Sequence, residues 1–445
     1  MKLAQLIGLP STREGPSERE NGRAVASLLS ACRRLLSERG EISATRLATE
    51  ILASYQALDA RARELFFGRL AKEFSPNPER VCQESDAYRQ DPSPENLARL
   101  QRAVEPPRQE LFRRLNVAPG GTRLLVEMRG HLLGDPSPNS ARTPIAADLK
   151  HLLTAWFNRG FLVLQRIDWR TSATILEKLI RYEAVHQIQG FDDLRRRLLE
   201  DRRCYAFFHP ALPEEPIIFV EAALTQGMSD KVQPLLDPES PVVDPESADC
   251  AIFYSITNCQ DGLRGVPLGS FLIKQVVEDL GREFPRIRRF ATLSPVPGFR
   301  EWLRKNGLSS ASARTVAKLD DPECFKDRKV SAELEQTLIP LCAYYLVRAK
   351  RGNEPVDSVA RFHLRNGARL ERVNWRGDTS KAGMERSAGI TVNYRYRLSD
   401  LERNHELYTR DYRVAASRDI EGLAKHAVAW TAGCTGNPHL QSVRK

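Results

Sequence analysis

Cys250-Ala-Ile-Phe-Tyr-Ser-Ile-Thr257 is an apolar run, rich in β-branched and aromatic residues, that predicts a buried strand. It is followed by the glycine-rich segment Gln260-Asp-Gly-Leu-Arg-Gly-Val-Pro-Leu-Gly269 and by Ser270-Phe-Leu-Ile-Lys-Gln-Val-Val-Glu-Asp-Leu280, which has the spacing of an amphipathic helix. Phe290-Ala-Thr-Leu-Ser294 predicts a further strand. A helix that begins after glycines presents unpaired N–H groups and the positive end of its dipole. The first hypothesis is therefore a ligand that carries phosphate.

The glycine loop alone is a weak motif. It has neither the Gly-Lys-Ser/Thr ending of a P-loop nor Gly-x-Gly-x-x-Gly, so neither phosphoryl transfer nor a bound dinucleotide is favoured. Further along, a predicted helix ends at Asn366-Gly367 and leads into a strand. This order of elements resembles that of acyl-CoA-binding, acetyltransferase-like folds, in which the pyrophosphate lies on the helix after the glycine turn.

The first third of the chain has a different character. Nearly every segment has helical periodicity, and Asp91-Pro-Ser-Pro94 is one of several breaks, with Ser93 placed to cap the next helix. A chain of 445 residues accommodates two or three domains. We predict an α plus α/β protein, with a helical domain over 1–159 for packing or oligomerisation. An acetyltransferase-like catalytic domain is predicted over 160–445.

Composition excludes several classes of protein. No apolar run is long enough to span a membrane, and the apolar stretch in Met1–Pro10 is too short for a signal peptide, which predicts a cytoplasmic protein. The eight cysteines form no Cys-x-x-Cys pair, so neither a zinc site nor a disulfide framework is indicated. The net charge of +10 would suit nucleic acid, but the basic residues are interleaved with acids and no nucleic-acid-binding motif accompanies them. A positive rim for a phosphorylated small molecule explains the charge equally well.

Several motifs together carry a more specific resemblance. They are Phe253-Tyr-Ser-Ile256, Gln260-x-Gly-Leu-x-Gly-Val-x-Leu-Gly-x-Phe-Leu-Ile-Lys274, Leu293-Ser-Pro-Val-Pro-Gly-Phe299, Phe362-His-Leu-x-Asn-Gly-Ala368 and Asn393-Tyr-Arg-Tyr396. With Glu183-Ala-Val-His186 and Arg202-Arg-Cys-Tyr205 upstream, they resemble the malonyl-CoA decarboxylase family in the family's own order. The resemblance extends from about Phe161 to Tyr396.

The resemblance implies conversion of malonyl-CoA to acetyl-CoA and CO₂ without a cofactor, in a homo-oligomer, expected to be a tetramer. The family's active serine and histidine fall on Ser294 and His363, and its CoA-contacting loop falls on Arg264-Gly265-Val266-Pro267-Leu268-Gly269-Ser270. Pro267 stands where some relatives carry an acidic residue, so no carboxylate role is carried over to that position.

The chemistry of these residue types agrees with the reaction. Loss of CO₂ from a malonyl thioester leaves an enolate, so the site must stabilise an oxyanion and supply a proton to carbon. A histidine with its ordinary pKa of about 6.5 can donate that proton, which makes His363 the expected donor. Ser294 is expected to orient the carboxylate. Tyr396 is either a hydroxyl near the substrate or a core residue, and Ser255 either lines the thioester pocket or is a buried hydroxyl bonded to the backbone.

The sequence leaves three other functions open. An acyl-CoA N-acyltransferase could use the same CoA pocket, but it would need an amine acceptor and a base. A CoA-responsive scaffold built on the N-terminal helices would bind without turnover. Nucleic-acid binding is the most distant alternative, and salt-dependent retention on DNA would test it.

Overall fold

The computed structural model describes residues 17–134, 142–268, 272–321 and 323–431. The chain forms two compact units, one of residues 1–158 and 260–266 and the other of residues 159–259 and 267–445. No helix in the described part of the chain is long and apolar enough to cross a membrane.

The first unit is helical. Its α-helices in the described residues are α1 (Glu18–Ser37), α2 (Glu41–Gln56), α3 (Ala60–Glu73), α4 (Pro78–Gln90), α5 (Pro94–Val104), α6 (Pro107–Val117), α7 (Gly121–Gly134) and α8 (Arg142–Trp156). Side-chain caps begin several of them: Ser17 and Glu20 form a capping box at α1, and Ser93 caps α5 with Pro94 in the first helical position, as predicted.

A short segment of the predicted glycine loop packs within this helical unit. Asp261–Leu263 form a 3₁₀ turn against α7, where a Cβ atom on Gly262 would lie 1.8 Å from the carbonyl oxygen of Val126. The buried Arg129 donates to the carbonyl oxygens of Gly262 (2.5 Å) and Arg264 (2.9 Å). Glycine at 262 therefore permits the close approach, and the guanidinium fixes the turn.

The second unit is built on a mixed sheet. Its strands are β1 (Val163–Ile167), β2 (Arg202–His209), β3 (Leu212–Thr225), β4 (Cys250–Asn258), β5 (Arg289–Thr292), β6 (Ser294–Pro295), β9 (Arg369–Asn374) and β10 (Thr391–Tyr396), and a separate hairpin consists of β7 (Lys350–Arg351) and β8 (Glu354–Pro355). The order in the sheet is β1-β2-β3-β4-β5-β10-β6, and β9 pairs with β10.

The helices of this unit in the described residues complete it. They are α9 (Ala173–Tyr182), α10 (Phe191–Arg197), α11 (Gln233–Leu236), α12 (Leu272–Glu283), α13 (Phe299–Lys305), α14 (Ser310–Ala317), α15 (Arg328–Val347), α16 (Ser358–Arg365), α17 (Lys381–Ser387), α18 (Leu398–Asp411) and α19 (Arg418–His426).

The opening stretch of sequence forms the centre of this sheet. β4 is almost wholly buried, and it pairs in parallel with β5 through the crossover that contains α12, whereas the other strand pairs of the described sheet are antiparallel. The predicted strand Phe290–Ser294 is divided at Leu293 into β5 and β6, and both parts pair with β10. The predicted helical region followed by a mixed α/β domain is confirmed.

Candidate active site

Ser294 begins the short strand β6, opposite Val392 of β10. Its side chain is buried, and its Oγ atom lies 2.8 Å from Oγ1 of Thr292, the residue two positions earlier on the same side of the chain. Thr292 Oγ1 also accepts from the backbone N–H of Tyr394 at 3.1 Å. The serine hydroxyl is therefore held in the sheet by Thr292 of β5 and by the pairing of β6 with β10.

His363 reaches the same point from α16. Its Nε2 lies 3.0 Å from Ser294 Oγ, and its Nδ1 lies 2.8 Å from the hydroxyl oxygen of Tyr396 on β10. The ring of Tyr394 stacks on the imidazole, with centroids 4.5 Å apart and an angle of 23° between the planes. Both ring nitrogens and one ring face of His363 are thus fixed by residues of the sheet.

The hydrogen bonds run in one direction along these side chains. Ser294 Oγ–H donates to Thr292 Oγ1, whose own proton points to the Val392 carbonyl oxygen at 3.5 Å. Ser294 then accepts from Nε2–H of His363, and Nδ1 accepts from Tyr396 O–H. This arrangement assigns a neutral imidazole with its proton on Nε2.

The protonation states follow from burial. Desolvation lowers the pKa of His363 to about 3, and burial also raises the pKa of the Tyr396 phenol, so both groups are neutral in the unliganded protein at pH 7. The expectation of an ordinary histidine pKa near 6.5 is therefore wrong for the folded protein. The reason is that packing of α16 on β10 removes the imidazole from water, and its bonded partners in the described part of the chain are neutral hydroxyls.

A cavity of about 180 Å³ opens onto this pair. Ser294, His363 and Asn258 supply polar groups, and most of the remaining wall is apolar. The lining residues are Val185, Ile218, Tyr254, Ile256, Asn258, Ser294, Pro295, Ser358, Val359, Phe362 and His363. The cavity is small enough to select a short acyl group and apolar enough to strengthen electrostatic interactions within it.

One wall of the cavity contains an irregularity in β4. Ser255 pairs with Glu221 and Phe253 with Ala222, so Tyr254 between them has no residue opposite it in β3. Such a β-bulge leaves backbone groups out of the regular ladder and re-aims nearby side chains. Tyr254, Ile256 and Asn258 line the cavity in alternation along the strand.

The structure brings Ser294, His363 and Tyr396 together. Ser255 is buried and donates from Oγ to Glu183 at 2.7 Å, and it is not among the cavity-lining residues. In the predicted CoA loop, Arg264, Gly265 and Val266 belong to the helical unit, while Pro267 and Leu268 belong to the second unit. Gly269 and Ser270 lie outside the described residues.

The loop itself has two features that suit an anion. The Arg264 side chain is 68% exposed and pairs with Asp261 at 2.7 Å. Gly265 has φ +74°, a left-handed conformation that glycine adopts readily, and a Cβ atom there would lie 3.8 Å from Nζ of Lys150 in the same unit.

Three residues of the site carried no role in the sequence reasoning. Thr292 bonds Ser294, and the ring of Tyr394 stacks on His363. In the sequence, each of them is marked only by its position on a strand, two residues before Ser294 and two before Tyr396, which places it on the same face as that residue. Asp357 caps α16 through the backbone N–H of Ala360 at 2.8 Å. Burial raises the pKa of Asp357 to about 6. The sequence Asp357-Ser358 predicts a helix cap, but it does not predict that the Asp357 side chain is buried.

No set of three or more histidine, cysteine, aspartate or glutamate side chains in the described residues is placed to hold a metal ion. The fold and the site together define a protein with a helical part, a mixed α/β domain and a buried serine–histidine pair that faces a small, largely apolar cavity.

Comparison with known proteins then specifies the family. Residues 160–432 match the profile of the malonyl-CoA decarboxylase C-terminal domain, and residues 74–157 match that of the malonyl-CoA decarboxylase N-terminal domain. The chain belongs to the malonyl-CoA decarboxylase family.

Individual relatives agree over most of the chain. It is 36% identical to the mitochondrial malonyl-CoA decarboxylase of Anser anser anser, covering 86% of this chain and 84% of that protein. The corresponding values for the Rattus norvegicus protein are 33%, 82% and 82%. A crystal structure of malonyl-CoA decarboxylase from Rhodopseudomonas palustris is similar with a TM-score of 0.86 and 46% identity over 89% of this chain and 99% of that one. The Agrobacterium vitis structure gives a TM-score of 0.84 at the same identity and coverage.

Proposed function

We propose that this protein decarboxylates malonyl-CoA to acetyl-CoA and CO₂ without a cofactor. The observation that carries the proposal is the buried contact between Ser294 and His363 on the wall of an acyl-sized cavity, in a chain that belongs to this family. The N-acyltransferase alternative is not favoured, because no finding points to an amine acceptor.

The first step is cleavage of the bond between the carboxylate carbon and Cα. Ser294 Oγ–H can turn from Thr292 to the malonyl carboxylate and hold it so that the breaking bond lies perpendicular to the plane of the thioester. The bonding electron pair moves into the thioester as an enolate, and CO₂ leaves. The apolar wall favours this step, since it stabilises neutral CO₂ and strengthens donors aimed at the enolate oxygen.

We assign the contact with that oxygen to the backbone at the Tyr254 bulge. Tyr254 lines the cavity and has no partner residue opposite it in β3. A backbone N–H at a bulge is fixed before the reaction begins, so it can stabilise developing negative charge without reorganisation.

The second step is protonation of Cα. The enolate is a stronger base than the imidazolate or tyrosinate that the transfer leaves, so neutral His363 can deliver its Nε2 proton without first becoming a cation. Nδ1 takes the hydroxyl proton of Tyr396 in the same movement, because the Tyr396 O–H already points at it from 2.8 Å. Solvent restores the tyrosine proton, and acetyl-CoA is complete.

We further propose that the loop Arg264–Ser270 binds the CoA moiety. Exposed Arg264 and nearby Lys150 supply positive charge for phosphate oxygens, and Gly265 allows the backbone to approach the ligand closely. We also propose that residues 160–445 carry catalysis and that residues 1–159 serve packing or oligomerisation.

The direct test is mass analysis of the products formed from malonyl-CoA by the purified protein. Acetyl-CoA and CO₂ in equal amounts are expected, and Ser294→Ala and His363→Asn are expected to lose most of the rate. Full activity in both variants would refute the assigned site. Incubation of acetyl-CoA with amines is expected to give no acylated product.

We propose that the protein is a homo-oligomer, and specifically a tetramer. Exposed apolar side chains in the helical unit support self-association, among them Ile42 at 88% and Val117 at 73% exposure. Light scattering coupled to size-exclusion chromatography measures the molecular mass directly, and a monomer would contradict the proposal.

A cytoplasmic location is also a proposal. The cysteines at 32, 82, 204, 250, 259, 324 and 342 are free thiols, which suits a reducing compartment. The names of the Anser and Rattus relatives specify mitochondria, so cell fractionation must separate the cytoplasm from that organelle.

A further inference from the structure

The motif Glu183-Ala-Val-His186 has no part in the proposed reaction, yet its glutamate is buried beside the site. Glu183 is the C-cap residue of α9 and is only 6% exposed. Its Oε1 accepts from the backbone N–H groups of Val185 and His186, each at 2.7 Å. Its Oε2 accepts from Ser255 Oγ at 2.7 Å and from Thr257 Oγ1 at 3.3 Å. One carboxylate therefore satisfies four donors from two segments of the chain.

Both segments form walls of the acyl cavity. Val185 lines the cavity from the turn after α9. Tyr254 and Ile256 line it from β4, in alternation with the two hydroxyl residues that bond Glu183. Because Glu183 is bonded to both, the separation between the Val185 turn and the bulged part of β4 depends on this side chain.

A carboxylate suits this position because it is acceptor-only and has two oxygens. Alanine would leave the two backbone N–H groups buried without this acceptor, and it would leave the hydroxyls of Ser255 and Thr257 to bond each other at 3.3 Å. The turn would then have to move toward other acceptors, which changes the shape of the cavity. Glutamine keeps one oxygen for the backbone N–H groups, while the hydroxyls of Ser255 and Thr257 can rotate to accept from its amide.

We propose that Glu183 is a positioning residue that sets the width of the acyl cavity and thereby its discrimination between malonyl and bulkier acyl groups. This inference rests on the proposed decarboxylase function. It also explains Ser255, whose hydroxyl acts on the cavity by bonding Glu183 and does not touch the substrate.

The test compares Glu183→Ala, Glu183→Gln and a matched control, Glu215→Ala. Glu215 is equally buried and also serves α9, through Lys178 Nζ at 2.8 Å and Tyr182 OH at 3.2 Å, but neither of these partners lines the cavity, whereas Val185, a partner of Glu183, does. For each folded variant, kcat/KM for malonyl-CoA is measured, with methylmalonyl-CoA as an alternative substrate or competitive inhibitor.

Glu183→Ala is expected to change the selectivity for malonyl-CoA over methylmalonyl-CoA by about tenfold. This is the size of effect that one methyl group has on discrimination by an apolar pocket. Glu183→Gln is expected to restore most of the wild-type selectivity, and Glu215→Ala to leave it unchanged. A purely structural role would lower the amount of folded enzyme and leave the selectivity ratio alone. An unchanged ratio in Glu183→Ala, or an equal change in Glu215→Ala, overturns the proposal.

Hydrogen exchange gives a second measurement that does not depend on turnover. In Glu183→Ala, exchange is expected to accelerate together in residues 184–187 and 253–258, and in Glu215→Ala in neither. Unchanged exchange in these segments also overturns the proposal. If the wild type releases no acetyl-CoA, the decarboxylase assignment fails, while the exchange data still decide whether Glu183 joins the two walls.

Discussion

The Oγ atom of Ser294 and the Nε2 atom of His363 lie 3.0 Å apart, although 69 residues separate them in the chain. Ser294 is held by the pairing of β6 with β10, and His363 by the cap of α16 and the stacked ring of Tyr394. The contact is therefore fixed from both sides before a substrate binds, which is the condition for orienting a carboxylate and returning a proton to the same carbon.

Replacing Ser294 by alanine is expected to lower kcat by about 10²–10³-fold, because the carboxylate loses the hydroxyl that aligns it. KM for malonyl-CoA should change much less, since the CoA contacts remain. Ser387→Ala is the matched control: this serine is also buried, and its hydroxyl bonds the nearby carbonyl oxygens of Gly383 and Ile390, away from the Ser294–His363 pair. Steady-state kinetics on both variants test this prediction. Equal losses of kcat in Ser294→Ala and Ser387→Ala would contradict a role of Ser294 in the reaction.

Replacing Tyr396 by phenylalanine is expected to lower kcat by about 10–100-fold, because Nδ1 of His363 loses the proton that it takes up during transfer. The solvent deuterium isotope effect on kcat should rise as protonation becomes slower. Tyr408→Phe, which removes a hydroxyl bonded to Glu354, serves as the control and should leave both quantities unchanged. Wild-type kinetics in Tyr396→Phe would exclude the proton relay.

The lowered pKa of His363 predicts a particular dependence of stability on pH. In the unfolded chain this histidine takes up a proton near pH 6.5, whereas in the folded protein it does so only near pH 3. The unfolded state binds more protons between these values, so the contribution of His363 to stability falls as the pH falls through that window. At pH 5 the loss is about 2 kcal/mol relative to pH 7.

This dependence is measured as the difference in unfolding free energy between the wild type and His363→Gln from pH 7 to pH 4. The wild type should lose its advantage as the pH falls. Asp357 has a raised pKa and acts in the opposite direction, but it is present in both proteins and cancels in the difference. A difference that is constant with pH would show that the folded imidazole titrates normally.

Arg129→Met is expected to raise KM for malonyl-CoA by about 10-fold with a smaller effect on kcat. The guanidinium fixes the carbonyl oxygens of Gly262 and Arg264 in the turn that leads into the proposed CoA loop, and methionine fills similar volume without donors. Arg108→Met is the control, since Arg108 is also buried in the helical unit and bonds Asp148 and Phe74 away from this turn. A fall in kcat alone would contradict a role in CoA binding.

Much of the site could be predicted because it is local in the sequence or carried by ordered motifs. The strand Cys250–Thr257, the amphipathic helix after the glycines and the stop at Asn366-Gly367 follow from periodicity and turn chemistry, and all are close to the observed elements. Ser294 and His363 were assigned by resemblance, since neither residue differs locally from an ordinary buried serine or histidine. Ser255 illustrates the limit: a buried hydroxyl bonded to the backbone was one of two expectations, but its partner is the side chain of Glu183, 72 residues away.

The sequence by itself determined the order of elements, the helical and mixed parts of the chain, and the family. It did so because periodicity, caps and motifs are properties of neighbouring residues. The tertiary structure alone decided that His363 is neutral, that Tyr396 bonds its Nδ1, and that Glu183 joins two walls of one cavity. These properties depend on desolvation and on distances between residues far apart in the chain, and such quantities exist only once the sheet and α16 have packed together.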